Sequence, residues 1–115
     1  MLLVIDDQSS WRALYRTEFE GHFEVVEAID GRDGLDKLDS RTPDLVILDL
    51  HMPRMDGARF LACLRDRGVS TPVIVCSGLG AEAERIAGAG VRFVAKSPDL
   101  TELARAVLTL SPVSR

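Results

Sequence analysis

Five short apolar runs alternate with five segments of helical character along this chain. The apolar runs are rich in Val and Ile and mostly unbroken, which is typical of strands covered on both faces. They are Leu2 to Ile5, Glu24 to Ala28, Leu45 to Leu48, Val73 to Cys76 and Val91 to Ala95. The helical segments are Ser10 to Gly21, Arg32 to Ser40, Ala58 to Arg67, Ala81 to Gly88 and Leu100 to Leu110. This strict alternation predicts an α/β fold with one parallel sheet, right-handed crossovers and helices on both faces.

Local turn signals support these boundaries. Ser9 or Ser10 is placed to cap the first helix, and Gly68 is placed to close the third. No internal repeat or linker interrupts residues 1–110, which are therefore predicted to form one domain. Residues 111–115 are polar and contain a proline, so we expect a tail or the start of a linker there.

The composition is that of an ordinary globular domain. The chain has 115 residues, of which 46% are hydrophobic and 28% charged, enough to bury a single core. Its formal net charge of -4 provides no positive field for a phosphate backbone. Nucleic acid is therefore not expected as a direct partner of this domain.

The sequence also predicts a cytoplasmic protein without a membrane partner. The longest apolar run, Met1 to Ile5, is far shorter than the roughly 20 residues that span a bilayer. The two cysteines, Cys63 and Cys76, are well separated and are expected to be reduced packing residues. Neither His22 nor His51 has a partner at a metal-ligand spacing.

The candidate chemistry collects at the carboxyl ends of the predicted strands, where open α/β sheets bind ligands. If the strand order is 2-1-3-4-5, the point at which the winding reverses lies between strands one and three. Asp6, Asp7 and Asp49 then surround one crevice, with Ser77 and Lys96 along its rim.

Three carboxylates in one crevice repel one another, and at neutral pH they either share a proton or hold a hard cation. A divalent ion is the simpler answer, and Mg²⁺ prefers a few carboxylates together with water and phosphate oxygens. A hydroxyl and an ammonium beside the ion supply donors for the other oxygens of a phosphoryl group. These residues together indicate a phosphoryl-transfer site at which a carboxylate attacks in line.

Lys96 stands out because the chain uses Arg twelve times and Lys only twice. A compact ammonium on a flexible stem suits a point contact to one phosphoryl oxygen and one carboxylate. More ordinary interpretations stay open for other residues. The pair Asp6-Asp7 also suits a helix N-terminus, Asp49 a turn, and Phe93 a position in the core.

Four motifs, taken in order, resemble the receiver domain of two-component response regulators, as in chemotaxis regulators. They are Asp6-Asp7 after an apolar strand, the stretch from Asp49 to Gly57, the strand end Cys76-Ser77-Gly78 and the strand end from Phe93 to Lys96. The resemblance covers essentially residues 1–110. It implies a flavodoxin-like, doubly wound sheet of five parallel strands in the order 2-1-3-4-5. It also implies a signalling module that assists only its own phosphorylation and dephosphorylation, and so is not an enzyme.

The resemblance assigns the residues of the crevice to a phosphorylation reaction. Asp49 is the expected acceptor of a phosphoryl group from a histidine kinase or a phosphotransfer histidine, and Lys96 the expected ligand of its oxygen. Asp7, Asp49 and the backbone carbonyl of His51 are expected to bind Mg²⁺. Asp6 is expected to bind the ion directly or through water.

The resemblance also implies a switch. The sequence departs from the family pattern after Lys96 and in the fourth helix. Ser77 is the expected switch hydroxyl, and Phe93 the aromatic ring whose rotamer follows it. The family often has Lys-Pro with a cis bond, whereas Ser97 intervenes here, so that a cis bond would precede Pro98. The crossover Gly78 to Gly90 has thirteen residues. The practical minimum is about 10 to 12, so the fourth helix must be short.

The last helical segment predicts a contact face. A helical wheel places Leu100, Leu103 and Val107 toward the sheet, and Ala104 and Leu108 on a flank beside the short fourth helix. The fourth helix, the fifth strand and the fifth helix are therefore predicted to form a phosphorylation-sensitive face. Its partner would be a second copy of the chain, a downstream target or an output domain.

Two other functions stay open as alternatives. One is a receiver-like interaction module that keeps the fold and works without phosphorylation. The other is a phosphatase like the haloacid dehalogenases, which also use an aspartyl nucleophile after a strand. That family has a second Asp two residues after the first, where this chain has His51. The sequence identifies neither the cognate kinase nor the output.

Overall fold

A computed structural model describes residues 1–78 and 90–110 of the chain. Its five strands form one parallel sheet in the order β2-β1-β3-β4-β5, as predicted. The strands are β1 (Leu2–Ile5), β2 (Val25–Ala28), β3 (Leu45–Leu48), β4 (Val73–Ser77) and β5 (Val91–Ala95). The sheet therefore has the doubly wound arrangement, with the reversal of winding between β1 and β3.

Four helices connect or follow these strands in the described ranges. They are α1 (Ser9–Phe19), α2 (Gly31–Ser40), α3 (Gly57–Asp66) and α4 (Thr101–Leu110), the last matching the fifth helical segment of the sequence. The helix predicted over Ala81 to Gly88 and the tail of residues 111–115 lie outside the described residues.

Two buried clusters, one on each face of the sheet, form the core. On the first face α1 and α4 contribute Tyr15, Phe19, Leu103, Ala106 and Val107. On the second face α2 and α3 contribute Leu35, Phe60, Leu61 and Leu64. Because adjacent strand residues point to opposite faces, unbroken apolar strands supply both clusters at once.

The helix ends follow ordinary capping chemistry with one exception. The Asp30 carboxylate caps α2 by accepting a hydrogen bond from the Asp33 backbone N–H at 2.8 Å. Gly68, at a φ of 76°, closes α3 as predicted. The prediction that Ser9 or Ser10 caps α1 is wrong, because both serines already lie within the helix and Gln8 precedes it.

The interpretation of Phe93 as a core residue is also wrong. Phe93 is 37% exposed, whereas its neighbour Val94 is 2% exposed and packs on the α1 and α4 face. Since β5 is the edge strand and successive residues alternate, only one of these two side chains can face that cluster.

The bond before Pro98 is trans, since the described residues contain no cis peptide bond.

The predicted orientation of α4 toward the sheet is confirmed, and its other flank meets α1. Leu103 and Val107 are buried, as the helical wheel requires. Ala104 and Leu108 line a groove with Leu14 of α1, whereas the fourth predicted helix, beside which they are expected, lies outside the described residues. The groove forms because α1 and α4 cover the same face of the sheet and are therefore neighbours.

The described residues include no helix with the length and apolar character needed to cross a membrane.

Two leucine truncations in α4 test its orientation. Leu103 is 2% exposed and Leu108 is 56% exposed. We expect Leu103→Ala to lower the free energy of unfolding by about 2–5 kcal/mol, because it leaves a cavity in the core. The control Leu108→Ala is expected to change it by less than about 0.5 kcal/mol. Urea denaturation measures both, and equal losses would contradict this orientation.

Candidate functional site

The sheet brings two aspartates together at its carboxyl edge. Asp6 follows β1 and Asp49 follows β3, and each continues the backbone ladder of the sheet. The Asp6 N–H donates to the Ala28 carbonyl at 3.1 Å, and the Asp49 N–H to the Ile5 carbonyl at 3.0 Å. Both carboxylates therefore leave the sheet at the point where the winding reverses.

Asp7 completes a cluster of three carboxylates. One oxygen from each of Asp6, Asp7 and Asp49 lies within 4.8 Å of the others. Asp6 and Asp49 are buried, at 2% and 7% exposure, while Asp7 is exposed at the mouth of the cluster. Carboxylate oxygens so arranged fit a hard divalent cation such as Mg²⁺, with the open side left for water or a phosphate oxygen.

Lys96 provides the positive charge beside this cluster. Its Nζ donates to Asp6 Oδ2 at 2.8 Å and lies 3.4 Å from Asp49 Oδ2. Burial disfavours the charged ammonium, but the hydrogen bond and charge of Asp6, together with Asp49, outweigh burial and raise the pKa of Lys96. Lys96 is therefore a cation at neutral pH.

Burial acts in the opposite sense on Asp49. Removal of its carboxylate from water raises the pKa of Asp49, and the charge of Lys96 only partly offsets this effect. The nearby Asp6 charge adds to the increase. A divalent cation at the cluster would relieve this repulsion and favour the ionised carboxylate.

Ser77 reaches the same edge from β4. Its residue is 1% exposed and pairs with Ala95 of β5 in the parallel register. The Lys96 backbone N–H donates to the Ser77 carbonyl at 3.0 Å, which ties the two predicted rim residues together. The structure thus brings Asp6, Asp7, Asp49, Ser77 and Lys96 to one edge of the sheet.

The loop from Asp49 to Gly57 is held against the sheet by its own backbone. The Gly57 N–H donates to the Leu50 carbonyl at 3.0 Å. A Cβ at Gly57 would stand 2.4 Å from the Asp49 carbonyl oxygen and 2.8 Å from the Leu50 Cα. Only glycine therefore fits here without moving the backbone that carries Asp49. His51 lies exposed in this loop.

The sequence reasoning missed the ion pair that anchors this loop. Arg54 has a φ of 66°, which is the left-handed region, and its Nε donates to Asp30 Oδ2 at 2.6 Å. The Gly31 N–H also donates to the Met55 carbonyl at 3.2 Å. No local pattern could have paired Asp30 with Arg54, because they lie 24 residues apart.

Two residues of α1 border the site, and sequence reasoning missed one of them, Arg12. Arg12 Nη1 donates to the Asp6 carbonyl at 2.8 Å, and its Nε donates to Glu27 Oε1 at 3.0 Å. The indole of Trp11 lies under the Lys96 ammonium, with 4.9 Å from Nζ to the ring centroid. The sequence signal for both is their position about one helical turn after Asp7, and for Trp11 this position predicts that Mg²⁺ binding changes its fluorescence.

Comparison of the sequence with known protein families identifies the family of this chain. The sequence profile of the family described as "Response regulator receiver domain" matches residues 2–108. This chain belongs to that family. The match overturns the haloacid-dehalogenase-like alternative. Receiver domains are signalling modules that bind Mg²⁺ in their acidic pocket, and response regulators interact with histidine kinases and output targets.

Solved receiver domains resemble this one along nearly its whole length. The receiver domain of a Francisella response regulator is 30% identical, with a TM-score of 0.83, covering 95% of this chain and 93% of that chain. The response regulator TrrA from Thermotoga maritima, solved in complex with Mg²⁺-BeF, is 29% identical, with a TM-score of 0.84. That match covers 95% of this chain and 96% of TrrA.

Curated relatives are longer than this receiver domain. The response regulator MprA of Mycolicibacterium vanbaalenii is 38% identical over 88 residues, which are 76% of this chain and 38% of MprA. The "Regulator of RpoS" of Escherichia coli is 42% identical over 77 residues, 66% of this chain and 23% of that protein. The chain thus matches well under half the length of either relative.

Magnesium binding can be followed through Trp11, the one tryptophan in the sequence. Mg²⁺ at the three carboxylates changes the charge around Lys96, which lies on the indole, so we expect a saturable change in fluorescence. Asp7→Asn removes the exposed carboxylate of the cluster and should weaken the apparent affinity by about tenfold or more. Asp36→Asn, the same change at an exposed position of α2, is the control. Equal affinities in both variants would contradict the site.

Gly57→Ala tests the constraint on the loop. The added Cβ must displace the Asp49 carbonyl or the Leu50 backbone, so we expect a loss of about 1–3 kcal/mol in the free energy of unfolding. Gly21→Ala is the control, because a Cβ there meets nothing within 4 Å. Urea denaturation of both variants gives the comparison, and a fully stable Gly57→Ala would refute the close approach.

Proposed function

We propose that this receiver domain accepts a phosphoryl group on Asp49 in a magnesium-dependent reaction and changes a partner-binding face in response. The donor would be a histidine kinase or a phosphotransfer histidine. The observation that carries the proposal is the meeting of the Asp49 carboxylate with two further carboxylates and the Lys96 ammonium. TrrA, similar in fold, was solved with Mg²⁺-BeF, and by this similarity the same pocket would bind the phosphoryl group here.

The proposed reaction is an in-line displacement at phosphorus. A carboxylate oxygen of Asp49 attacks, an O–P bond forms, and the P–N bond to the donor imidazole breaks. The electron pair of the broken bond leaves with the imidazole nitrogen. Bound Mg²⁺ would neutralise negative charge on the phosphoryl oxygens. Asp6, Asp7, Asp49 and the backbone carbonyl of His51 are the residues proposed to hold it.

Lys96 is proposed to bind one phosphoryl oxygen. Its ammonium already lies between the carboxylates of Asp6 and Asp49, so a short movement of a flexible stem carries it to a group attached to Asp49. A cation placed at the position where charge accumulates stabilises the transition state.

Ser77 and Phe93 are proposed as the switch. Ser77 is buried at the end of β4, on the rim that it shares with Lys96. Its hydroxyl would donate to the phosphoryl group, and the Phe93 ring would change rotamer in response. The partial exposure of Phe93 supports this role, because the side chain is not locked in the core.

The partner face is proposed to include β5 and α4. Phe93 and Arg105 are exposed there, and the fourth predicted helix would complete the face. A second copy, a target or an output domain would bind it. Leu108, which is 56% exposed on α4, also lines the groove against α1.

We also propose that residues 1–110 form the receiver domain and residues 111–115 a tail or the start of a linker. The greater length of both curated relatives fits a linker to a further domain. A cytoplasmic location and the absence of direct contact with nucleic acid or membrane stay predictions of the sequence.

Acyl-phosphate labelling tests the acceptor. With acetyl phosphate and Mg²⁺, the intact mass of the parent should rise by one phosphoryl group, and Asp49→Asn should abolish the adduct. Asp56→Asn is the control, because Asn still caps α3 in place of the exposed Asp56 carboxylate. Labelling that persists in Asp49→Asn would refute the acceptor. Absence of any adduct in the parent would instead support a module that works without phosphorylation.

A further inference from the structure

The Lys96 ammonium has an aromatic neighbour as well as two carboxylates. It lies 4.9 Å from the ring centroid of Trp11, within the distance at which a cation is attracted to an indole face. The Lys96 side chain is 13% exposed, so water screens this attraction weakly. Within the described part of the chain, the Lys96 ammonium thus contacts Asp6, Asp49 and Trp11.

The indole itself is held from the side of the core. Trp11 packs against the cluster formed with α4, and its ring lies 5.9 Å from that of Tyr15, at an interplanar angle of 34°. Tyr15 is 1% exposed, and its hydroxyl shares a hydrogen bond with Cys76 Sγ at 3.3 Å. A fixed tyrosine thus supports the ring on which the ammonium rests.

We propose that Trp11 is a positioning residue that holds the Lys96 ammonium at the rim of the acceptor pocket while the carboxylates bind Mg²⁺. This role rests on the proposed phosphorylation of Asp49. It assigns Trp11 no contact with the phosphoryl group itself.

Metal binding would weaken the contacts of Lys96 with the two carboxylates and leave its contact with the indole intact. A divalent cation at Asp6 and Asp49 neutralises the charges that attract Lys96, and like charge then repels the ammonium. The quadrupole of the indole is unaffected by the metal, so the ring continues to attract the cation. Without the indole, the flexible Lys96 side chain could turn into solvent, and its ammonium would then be away from the phosphoryl group during transfer.

Lysine NMR tests the contact directly, because the chain has two lysines, Lys37 and Lys96. With ¹³C-lysine labelling, the ε-CH₂ protons of Lys96 should resonate upfield of those of Lys37, since they lie over an aromatic ring. Lys37 pairs with Asp33 on α2 and serves as the internal reference. The upfield shift should persist at saturating Mg²⁺. It should disappear in Trp11→Leu and be partly kept in Trp11→Phe.

The rate of Asp49 labelling tests whether the position of Lys96 matters for the reaction. At saturating Mg²⁺, we expect Trp11→Leu to lower the maximal rate of Asp49 labelling by acetyl phosphate by about three- to tenfold. The Mg²⁺ concentration for half-saturation should change little, because the carboxylates are intact. Trp11→Phe should restore most of the rate. Phe19→Leu, which removes a buried ring from the same helix away from Lys96, controls for lost packing and should label at the parent rate.

The outcomes separate this role from the proposed function. An upfield shift that vanishes on addition of Mg²⁺, or that is the same in Trp11→Leu as in the parent, would overturn the positioning role. So would labelling of Trp11→Leu at the parent rate. Absence of labelling in the parent would overturn the proposed function and, with it, the role of Trp11. A slow Trp11→Leu that Trp11→Phe restores, with a shift that persists in Mg²⁺, is the expected result.

Discussion

The structure depends on one electrostatic balance, between negative charge at the ends of β1 and β3 and a single ammonium from the residue after β5. Asp6 and Asp49 are almost completely buried, and their carboxylates would repel each other at such close range without compensation. Lys96 supplies that compensation at 2.8 Å and 3.4 Å. A divalent cation at the three carboxylates would supply the same compensation. A buried charge balance of this kind is costly for stability and suits a site that exchanges ligands.

The sheet explains how residues so distant in sequence meet. Parallel strands end at one edge, and the doubly wound order sends α1 to one face and α3 to the other, which opens a crevice between β1 and β3. The loop after Asp49 must then pass close to the sheet, and Gly57 permits this passage. The pair of Arg54 with the buried Asp30 carboxylate stabilises the left-handed turn of that loop. The loop from Asp49 to Gly57 therefore links the position of the Asp49 carboxylate to the left-handed backbone of Arg54.

Much of the fold could be predicted because its signals are local. Unbroken Val- and Ile-rich runs indicate strands buried on both faces, and polar residues directly after them indicate the edge where ligands bind. Local signals do not decide the position of a side chain that has a choice between two environments. Phe93 and Val94 are equally apolar, and only the position of β5 at the edge decides which is buried. Leu108 is apolar on a helical flank, and only the packing of α4 beside α1 decides what it faces.

The strand order was implied by the resemblance of four motifs to receiver domains. The sequence by itself determined the α/β class and the set of five polar residues that follow the strands. These properties follow from periodicity and from residue types next to each strand, which act over a few positions. The tertiary structure alone decided the contact of Trp11 with Lys96, the pair of Arg54 with Asp30, and the neighbours of Leu108. Each of these joins residues that are far apart in the chain or in different helices. These contacts depend on how whole helices and strands pack together, and no local sequence pattern determines that packing.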